Sequence, residues 1–352
     1  MIRFSTSIVV PCLFLVPSSG LAQTIDTART QTAYDSVAKL RNDIERSHGR
    51  FVTVNGIRMH YLEWGQPNGI PFVWAHGSAG TAYELRAVAP RLAQAGYRVL
   101  SVDWRGHGLT TVANYDFSIH HVADDLVGLL DSLRIPAAVF AGGSKGGSVV
   151  AAVYDEYPTR VLGLLHADGG TWSLQWMWDR LSLPEIRRWM SDPVPVITGP
   201  SEFDVFRQVV GNIKPGDLPI EWLSDMLSRI WPMANGEWGF IAEFNRMMGS
   251  YETTEFGITH PTMFPPLQWS ENAMIPRVMF RRLHVPMMIL DPQSERDPVA
   301  VTDQNERLAK DHPELVTHRI YPQSGHNILG SRPDWFVRDA VELLDQVRKR
   351  RP

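Results

Sequence analysis

Ala141-Gly142-Gly143-Ser144-Lys145-Gly146-Gly147 is the stretch of this chain that sets its expected fold. It follows the apolar run Pro136 to Phe140 and precedes a segment with helical patterning, Ser148 to Tyr157. Glycines at a strand-to-helix turn permit strained backbone angles, and such a turn holds a serine hydroxyl above the sheet. Because Gly-x-Ser-x-Gly also occurs as an ordinary glycine-rich helix cap, the flanking strand and helix patterns carry the interpretation.

The composition indicates one large folded domain, or one domain with an insertion. The chain has 352 residues and is 44% hydrophobic, which is enough to bury a large core. Its formal net charge is -4, and the charged residues are scattered along the sequence. Nothing in this distribution indicates a nucleic-acid partner or an anionic membrane surface.

The first residues have the pattern of a secretory leader. Met1-Ile2-Arg3 is basic, Ile8 to Val16 is apolar, and Gly20-Leu21-Ala22 supplies small residues at a cleavage site. We therefore expect a signal peptide at residues 1–22, cleaved after Ala22, and a secreted or periplasmic protein without a stable membrane anchor, since the apolar stretch is too short to span a bilayer. The single cysteine, Cys12, lies in this leader, so the mature chain would have no disulfide or thiolate chemistry.

Beyond a helix-prone N-terminal extension at residues 23–50, strand and helix patterns alternate. Asn55-Gly56 between two apolar runs predicts a hairpin of Phe51 to Val54 with Ile57 to Trp64. Further strands are predicted at Pro71 to Ala75, Tyr97 to Val102, Ala137 to Ala141 and Val161 to Ala167, with helices at Tyr83 to Ala95, Ile119 to Leu133 and Ser144 to Tyr157. This alternation predicts an α/β fold with a mainly parallel sheet, whose ligands bind at the carboxyl ends of the strands.

Three further motifs follow predicted strands: His76-Gly77-Ser78-Ala79-Gly80, Asp103-Trp104-Arg105-Gly106-His107-Gly108 and Gly325-His326-Asn327. Together with the turn at Ser144, their order and spacing resemble the α/β-hydrolase superfamily over almost the whole mature chain. The resemblance implies an eight-stranded, mainly parallel sheet with helices on both faces. It also implies a core at residues 51–168 and 284–352, interrupted by a helical cap insertion at 169–283.

The resemblance implies a Ser-His-Asp triad. Ser144 needs a base to become a nucleophile, and the base needs an acid that orients it. The family places its base in the loop after the last strand, here His326. The backbone N–H of Lys145 is an expected oxyanion donor at a helix amino terminus, and the family assigns the second to Ser78. Whether the Lys145 ammonium finds a carboxylate or lies in solvent stays open at this point.

The acid of the triad has several candidates. The family usually places it beyond the penultimate strand, here predicted at Val285 to Leu290, which favours Asp297. Asp291 and Glu295 lie in the same stretch. The alternative is Asp168, after the strand Val161 to Ala167, where some family members carry the acid.

Other polar residues of these loops have a structural interpretation first. The resemblance implies that His76, Asp103, Arg105 and His107 shape loops through internal hydrogen bonds. His120-His121 and the stretch from His166 to Asp168 lack a convincing metal-ligand spacing, so we expect no metal and no cofactor.

The predicted cap is rich in aromatic and methionine residues. It holds 8 of the 12 tryptophans and nine of the 13 methionines. Trp172, Trp176, Trp178 and Met177 are candidates for substrate contacts. They could equally form the core of the cap, and the sequence does not separate the two roles.

The expected function is that of a secreted serine hydrolase that cleaves a bulky, apolar carboxylic ester or lactone through an acyl-enzyme. Epoxide hydrolases and haloalkane dehalogenases are similar in cap and histidine loop, but they use an aspartate where this chain has Ser144. Proline iminopeptidases resemble the chain at Gly142-Gly143-Ser144, and would need cap carboxylates such as Glu237 or Glu243 to hold a free amine. A carbon–carbon bond hydrolase, or a binding protein that has lost the chemistry, are further alternatives, and the oligomeric state is not indicated.

Overall fold

The central sheet has eight strands, and six of them pair with one another in parallel. The strands are β1 (Gly49–Val54), β2 (Ile57–Trp64), β3 (Ile70–Ala75), β4 (Tyr97–Val102), β5 (Ala138–Gly143), β6 (Val161–Ala167), β10 (Met287–Gln293) and β11 (Val316–Pro322). Their order across the sheet is β1-β2-β4-β3-β5-β6-β10-β11. The computed structural model describes residues 27–173, 176, 179–182, 184, 196–211, 218–242, 247, 265–293 and 301–350.

The hairpin and the parallel strands form as the sequence predicts. Val54 pairs with Ile57 across the Asn55-Gly56 turn, and Asn55 has a positive φ of 45°, as a type I′ turn requires. β2 runs antiparallel to β4, whereas every pairing from β4 to β11 is parallel. The carboxyl ends of β3, β4, β5 and β6 therefore lie along one edge of the sheet.

Both faces of the sheet are apolar because both are covered by helices. Alternate residues of β3 enter opposite clusters: Val73 and Ala75 pack in one, Phe72 and Trp74 in the other. The helices are α1 (Thr27–His48), α2 (Ala89–Ala95), α3 (Ile119–Ser132), α4 (Lys145–Glu156), α5 (Glu202–Val210), α6 (Ile220–Ser228), α7 (Pro266–Asn272), α8 (Pro276–Met279), α9 (Thr302–Asp311), α10 (Ile328–Ser331) and α11 (Pro333–Arg350). Helices α3 and α4 cover the first face, and α2 and α11 cover the second.

One predicted helix is divided in the structure. The pattern from Tyr83 to Ala95 forms a short 3₁₀ helix, Ala82–Leu85, followed by α2 from Ala89. Pro90 lies in the first turn of α2, where its missing N–H costs nothing, but it disfavours a helical residue before it. The proline therefore starts a new helix instead of continuing the first.

Residues 169–283, here termed the cap segment, contain strands as well as the predicted helices. β7 (Ile197–Gly199), β9 (Trp238–Phe240) and β8 (Ile230–Pro232) form a three-stranded antiparallel sheet beside α5. The proposed signal peptide lies outside the described residues, and the limits of the cap stay a prediction. Within the described ranges, no helix has both the length and the apolar content needed to cross a bilayer.

Helix α1 connects the cap segment to the central sheet. Val37 is fully buried against apolar residues of α5 and α6. Towards the cap, Arg41 forms an ion pair with Glu202, whose carboxylate also accepts a hydrogen bond from Tyr34 at 2.8 Å. Towards the sheet, Glu45 contacts the ring of His60 on β2 at 3.2 Å. The N-terminal extension thus fixes α5 relative to the sheet.

We expect Glu202→Gln to destabilise the fold, because the partly buried guanidinium of Arg41 would lose the negative charge that it pairs with. The expected loss in the free energy of unfolding is about 2 to 4 kcal/mol. Urea unfolding followed by circular dichroism measures it.

The matched control is Glu342→Gln, which breaks the exposed pair of Glu342 with Arg319. That change should cost less than about 1 kcal/mol. Equal losses in the two variants would contradict the role given to α1.

Candidate active site

Ser144 lies at the carboxyl edge of the sheet in a strained backbone conformation. It connects β5 to α4 with φ 51° and ψ −124°, a combination that non-glycine residues rarely adopt. Its N–H donates to the carbonyl oxygen of Ala167, the last residue of β6, at 3.0 Å. The N–H of Gly147 donates to the carbonyl oxygen of Ser144 at 2.9 Å. These bonds hold the turn in the geometry expected of an exposed nucleophile.

Close backbone contacts explain two of the glycines around Ser144. A Cβ atom at position 146 would lie 2.0 Å from the carbonyl oxygen of Ala75 at the end of β3. A Cβ atom at position 169 would lie 2.0 Å from the carbonyl oxygen of Ser144 itself. Only glycine fits at either position, so the turn is locked between the ends of β3 and β6.

Asp168 and His326 meet beside this turn. Asp168 follows β6 directly, has a positive φ of 53°, and donates its N–H to the carbonyl oxygen of Leu290 at 3.1 Å. Its Oδ2 lies 2.5 Å from Nδ1 of His326, which belongs to the loop after β11. The neighbours of Asp168 on both sides, Ala167 and Gly169, contact Ser144. The serine, the imidazole and a carboxylate are therefore gathered at one edge of the sheet.

The carboxylate that contacts His326 differs from the one that the sequence favoured. Asp297 lies outside the described residues, and its role stays a prediction. Asp168, the alternative, reaches His326 because β6 lies between β5 and β10 and ends at the same edge. The signal for it in the sequence is the Asp168-Gly169-Gly170 stretch, where glycines directly follow a strand as they do at Ser144.

The expected oxyanion donors lie on the two backbone segments next to Ser144. A Cβ atom at position 77 would lie 3.2 Å from Cβ of Ser144, so the Gly77 backbone borders the serine and Ser78 follows it. The Gly80 N–H donates to the Gly77 carbonyl at 3.0 Å and closes this loop. On the other side, Lys145 begins α4, where an N–H group has no acceptor within its own helix.

The Lys145 side chain finds a carboxylate, which answers the question that the sequence left open. Its ammonium forms an ion pair with Glu271 of α7 and lies 3.3 Å from Oε1 of Gln268. Burial lowers the pKa of Lys145 to about 7. No pattern in the sequence singled out Glu271.

The loops after β3 and β4 have the structural role expected for them. Asp103 accepts hydrogen bonds from the N–H groups of Ala82 and Leu109, at 2.6 and 2.9 Å. Arg105 pairs with both carboxylate oxygens of Asp125. Burial lowers the pKa of His76 to about 4, and its neutral ring stacks on the indole of Trp104.

A buried carboxyl group that the sequence did not single out lies behind the Gly77 loop. Glu84 accepts a hydrogen bond from the Trp74 indole at 2.8 Å and another from the Gly77 backbone. Burial raises its pKa to about 7. Its position connects the interior face of β3 to the backbone that borders Ser144.

The predicted substrate contacts are only partly described. Trp172 lines a small cavity with Thr171, Ile275 and Leu308, and the Trp176 ring lies under the Arg180 guanidinium at 3.4 Å. Met177 and Trp178 lie outside the described residues, so all four contacts stay predictions. Among the residues that the structure describes, no three His, Asp or Glu side chains are placed to hold a metal ion.

Comparison with known proteins agrees with this fold. A family model for the α/β hydrolase fold matches residues 70–193. An epoxide hydrolase A of Mycobacterium tuberculosis is 41% identical over 105 residues, which are 29% of this chain and 32% of that protein. A bifunctional esterase/perhydrolase of Acinetobacter calcoaceticus is 30% identical over 110 residues, 31% of this chain and 40% of the relative. The matched stretch spans between 21% and 43% of the length of these curated relatives.

The likeness in three dimensions extends further along the chain. The crystal structure of an E-2-(acetamidomethylene)succinate hydrolase superposes with a TM-score of 0.61 and covers 84% of this chain and 98% of its own. The two sequences are 17% identical, so the comparison concerns the fold alone.

The pair of His60 and Asp103 predicts a pH dependence of folding stability. Burial opposes a charge on His60, but contacts with Asp103 and Glu45 outweigh it and raise the pKa of His60 to about 9. The unfolded value is about 6.5, so the stabilisation is complete below that pH and is lost as the pH rises through about 9. The difference in unfolding free energy between the wild type and His60→Gln should shrink between pH 6.5 and 9.5. A constant difference, measured by urea unfolding, would contradict the charged pair.

Proposed function

We propose that this chain, which belongs to the α/β-hydrolase superfamily, is a serine hydrolase that cleaves a bulky, apolar carboxylic ester or lactone. The observation that carries the proposal is the contact between Asp168 and Nδ1 of His326, next to a serine in a strained strand-to-helix turn. A carboxylate at Nδ1 orients the ring so that Nε2 is available as a base, and it stabilises the imidazolium.

The proposed reaction proceeds through an acyl-enzyme. Ser144 Oγ attacks the carbonyl carbon, and Nε2 of His326 accepts the serine proton. The N–H groups of Ser78 and Lys145 stabilise the oxyanion. Collapse of this intermediate expels the alcohol, to which His326 returns the proton. His326 then deprotonates a water molecule, which attacks the acyl carbon and releases the acid and Ser144.

Apolar residues near the loops of the site favour an apolar substrate. The ring of Trp231, in the cap segment, lies 5.9 Å from the ring of His107. Met247 is buried, and its sulfur lies 2.9 Å from where a Cβ of Gly106 would be. Side chains of this kind accommodate bulky apolar groups. Trp172, Trp176, Trp178 and Met177 are proposed as further contacts.

Ser144 argues against epoxide ring opening, despite the relatives that are epoxide hydrolases. A carboxylate that opens an epoxide forms an ester, which water can hydrolyse afterwards. A serine that did so would form an ether, for which this site offers no route of hydrolysis. An acyl group on Ser144, by contrast, is itself an ester, so both halves of the proposed cycle use the same chemistry.

Of the two carboxylates considered as partners for a free amine, the one that the structure describes does not favour a peptidase. Glu237 is exposed, and its side chain accepts a hydrogen bond from Asn235 at 2.8 Å. Glu243 lies outside the described residues.

We also propose, from the leader pattern alone, that the enzyme acts in the periplasm or outside the cell.

Ser144→Ala and His326→Ala should each lower turnover of esters by about three orders of magnitude or more, because either change removes the nucleophile or its base. Proton release from a panel of esters, lactones and aminoacyl amides of graded size measures this. Cleavage that persists in Ser144→Ala would refute the serine mechanism. Cleavage confined to amides with a free amino end would favour a peptidase.

Replacement of the two candidate acids distinguishes their roles. Asp168→Asn should reduce turnover by about a hundredfold or more, since an amide at this position favours the wrong tautomer of His326. Asp297→Asn is the matched control, and we expect it to stay within about threefold of the wild type, well below the effect of losing a triad acid. The reverse order of effects would return the acid role to Asp297.

A further inference from the structure

The Lys145–Glu271 ion pair connects the turn at Ser144 to helix α7 of the cap segment. Lys145 is 4% exposed and Glu271 is 7% exposed, so both charges are buried. Gln268, one helical turn before Glu271 on α7, supplies a second acceptor for the ammonium. The lysine side chain therefore attaches the first residue of α4 to α7.

Helix α7 is itself anchored to the core. The hydroxyl of Ser270 accepts a hydrogen bond from the N–H of Ile119, the first residue of α3, at 2.9 Å. Leu267 is fully buried in the cluster that covers one face of the sheet. The anchor for Lys145 is thus a fixed helix, and Lys145 is held from both ends, by its backbone in α4 and by its ammonium at α7.

Stability alone does not account for this pair. Two buried charges lose their hydration, and replacing such a pair with apolar side chains is often neutral or stabilising. An apolar side chain at position 145 would fill the same buried space between α4 and α7. An ion pair is directional, whereas an apolar contact is not. The pair with Glu271 therefore fixes where the side chain of Lys145 points. That residue carries one of the two proposed oxyanion donors.

We propose that Lys145 is a positioning residue, whose ion pair with Glu271 holds its own backbone N–H in place as an oxyanion donor. This inference rests on the proposed function. In this role the two side chains do not touch the substrate. They act by holding the main chain of Lys145 in position. Loss of the pair should reduce the rate of the chemical step more than it changes substrate binding.

The test is the rate at which a fluorophosphonate labels Ser144. In this reaction the Oγ–P bond forms, the P–F bond breaks, fluoride leaves and His326 takes the serine proton, while negative charge develops on the phosphoryl oxygen. The variants are Glu271→Gln, Lys145→Met and the apolar double variant Lys145→Met with Glu271→Leu. The control is Asp339→Asn, on α11. This change removes a buried carboxylate that accepts a hydrogen bond from the hydroxyl of Tyr321.

We expect both single variants to be labelled at least about tenfold more slowly, a fraction of the effect of deleting a whole oxyanion donor. The kcat for a small ester should fall in parallel, and KM should change less than about threefold. The double variant should regain the melting temperature of the wild type but stay slow. Asp339→Asn should be labelled at the rate of the wild type.

The outcomes separate this inference from the proposed function. A wild type that is not labelled at Ser144 overturns both. A labelled wild type together with a double variant of equal labelling rate and kcat overturns the positioning role alone, because the pair would then be ordinary packing. A stable but slow double variant supports the proposal.

Discussion

The contact of the Ser144 backbone with Gly169 is the constraint on which the rest of the site depends. Ser144 follows β5 and Gly169 follows β6 by two residues, and their main chains touch so closely that no side chain fits at position 169. The same contact places Asp168, which precedes Gly169, beside the serine. Both Ser144 and Asp168 adopt positive φ angles, and the hydrogen bonds from their N–H groups to neighbouring strands compensate for that strain.

Three ionisable groups are buried in the loops and strands of this half of the sheet, and the burial shifts their pKa values in different ways. Lys145 and Glu84 are both shifted towards neutrality, whereas His60 is held as a cation by two carboxylates. None of these three groups belongs to the proposed triad. Glu84 accepts a hydrogen bond from the Gly77 backbone, which borders Ser144 on one side, and Lys145 begins α4 on the other side. His60 lies further away, where it pairs with Asp103 after β4.

The cap segment is joined to the core at several separate points. Helix α1 holds α5 through Arg41 and Glu202, the Lys145–Glu271 pair holds α7, and Trp231 meets the loop after β4. The first two attachments are ion pairs with a buried carboxylate, which are directional, whereas the third is an aromatic contact. These contacts join three separate parts of the cap segment to the core.

The amino-acid sequence predicted the strands of the central sheet, most of the helices that cover it, the turn at Ser144 and the histidine loop. These follow from local patterns: apolar runs of strand length, Asn55-Gly56, and glycines around a serine. The break that Pro90 causes in the helix predicted at Tyr83 to Ala95 is also a local effect, although it was not predicted. The partner of His326 could not be read in this way. Asp168 and Asp297 both follow a predicted strand, and the contact of Asp168 with the ring of His326 appears only when β6 and the loop after β11 come together in the sheet. The Lys145–Glu271 pair joins residues 126 positions apart, and it exists because tertiary packing brings two helix ends together.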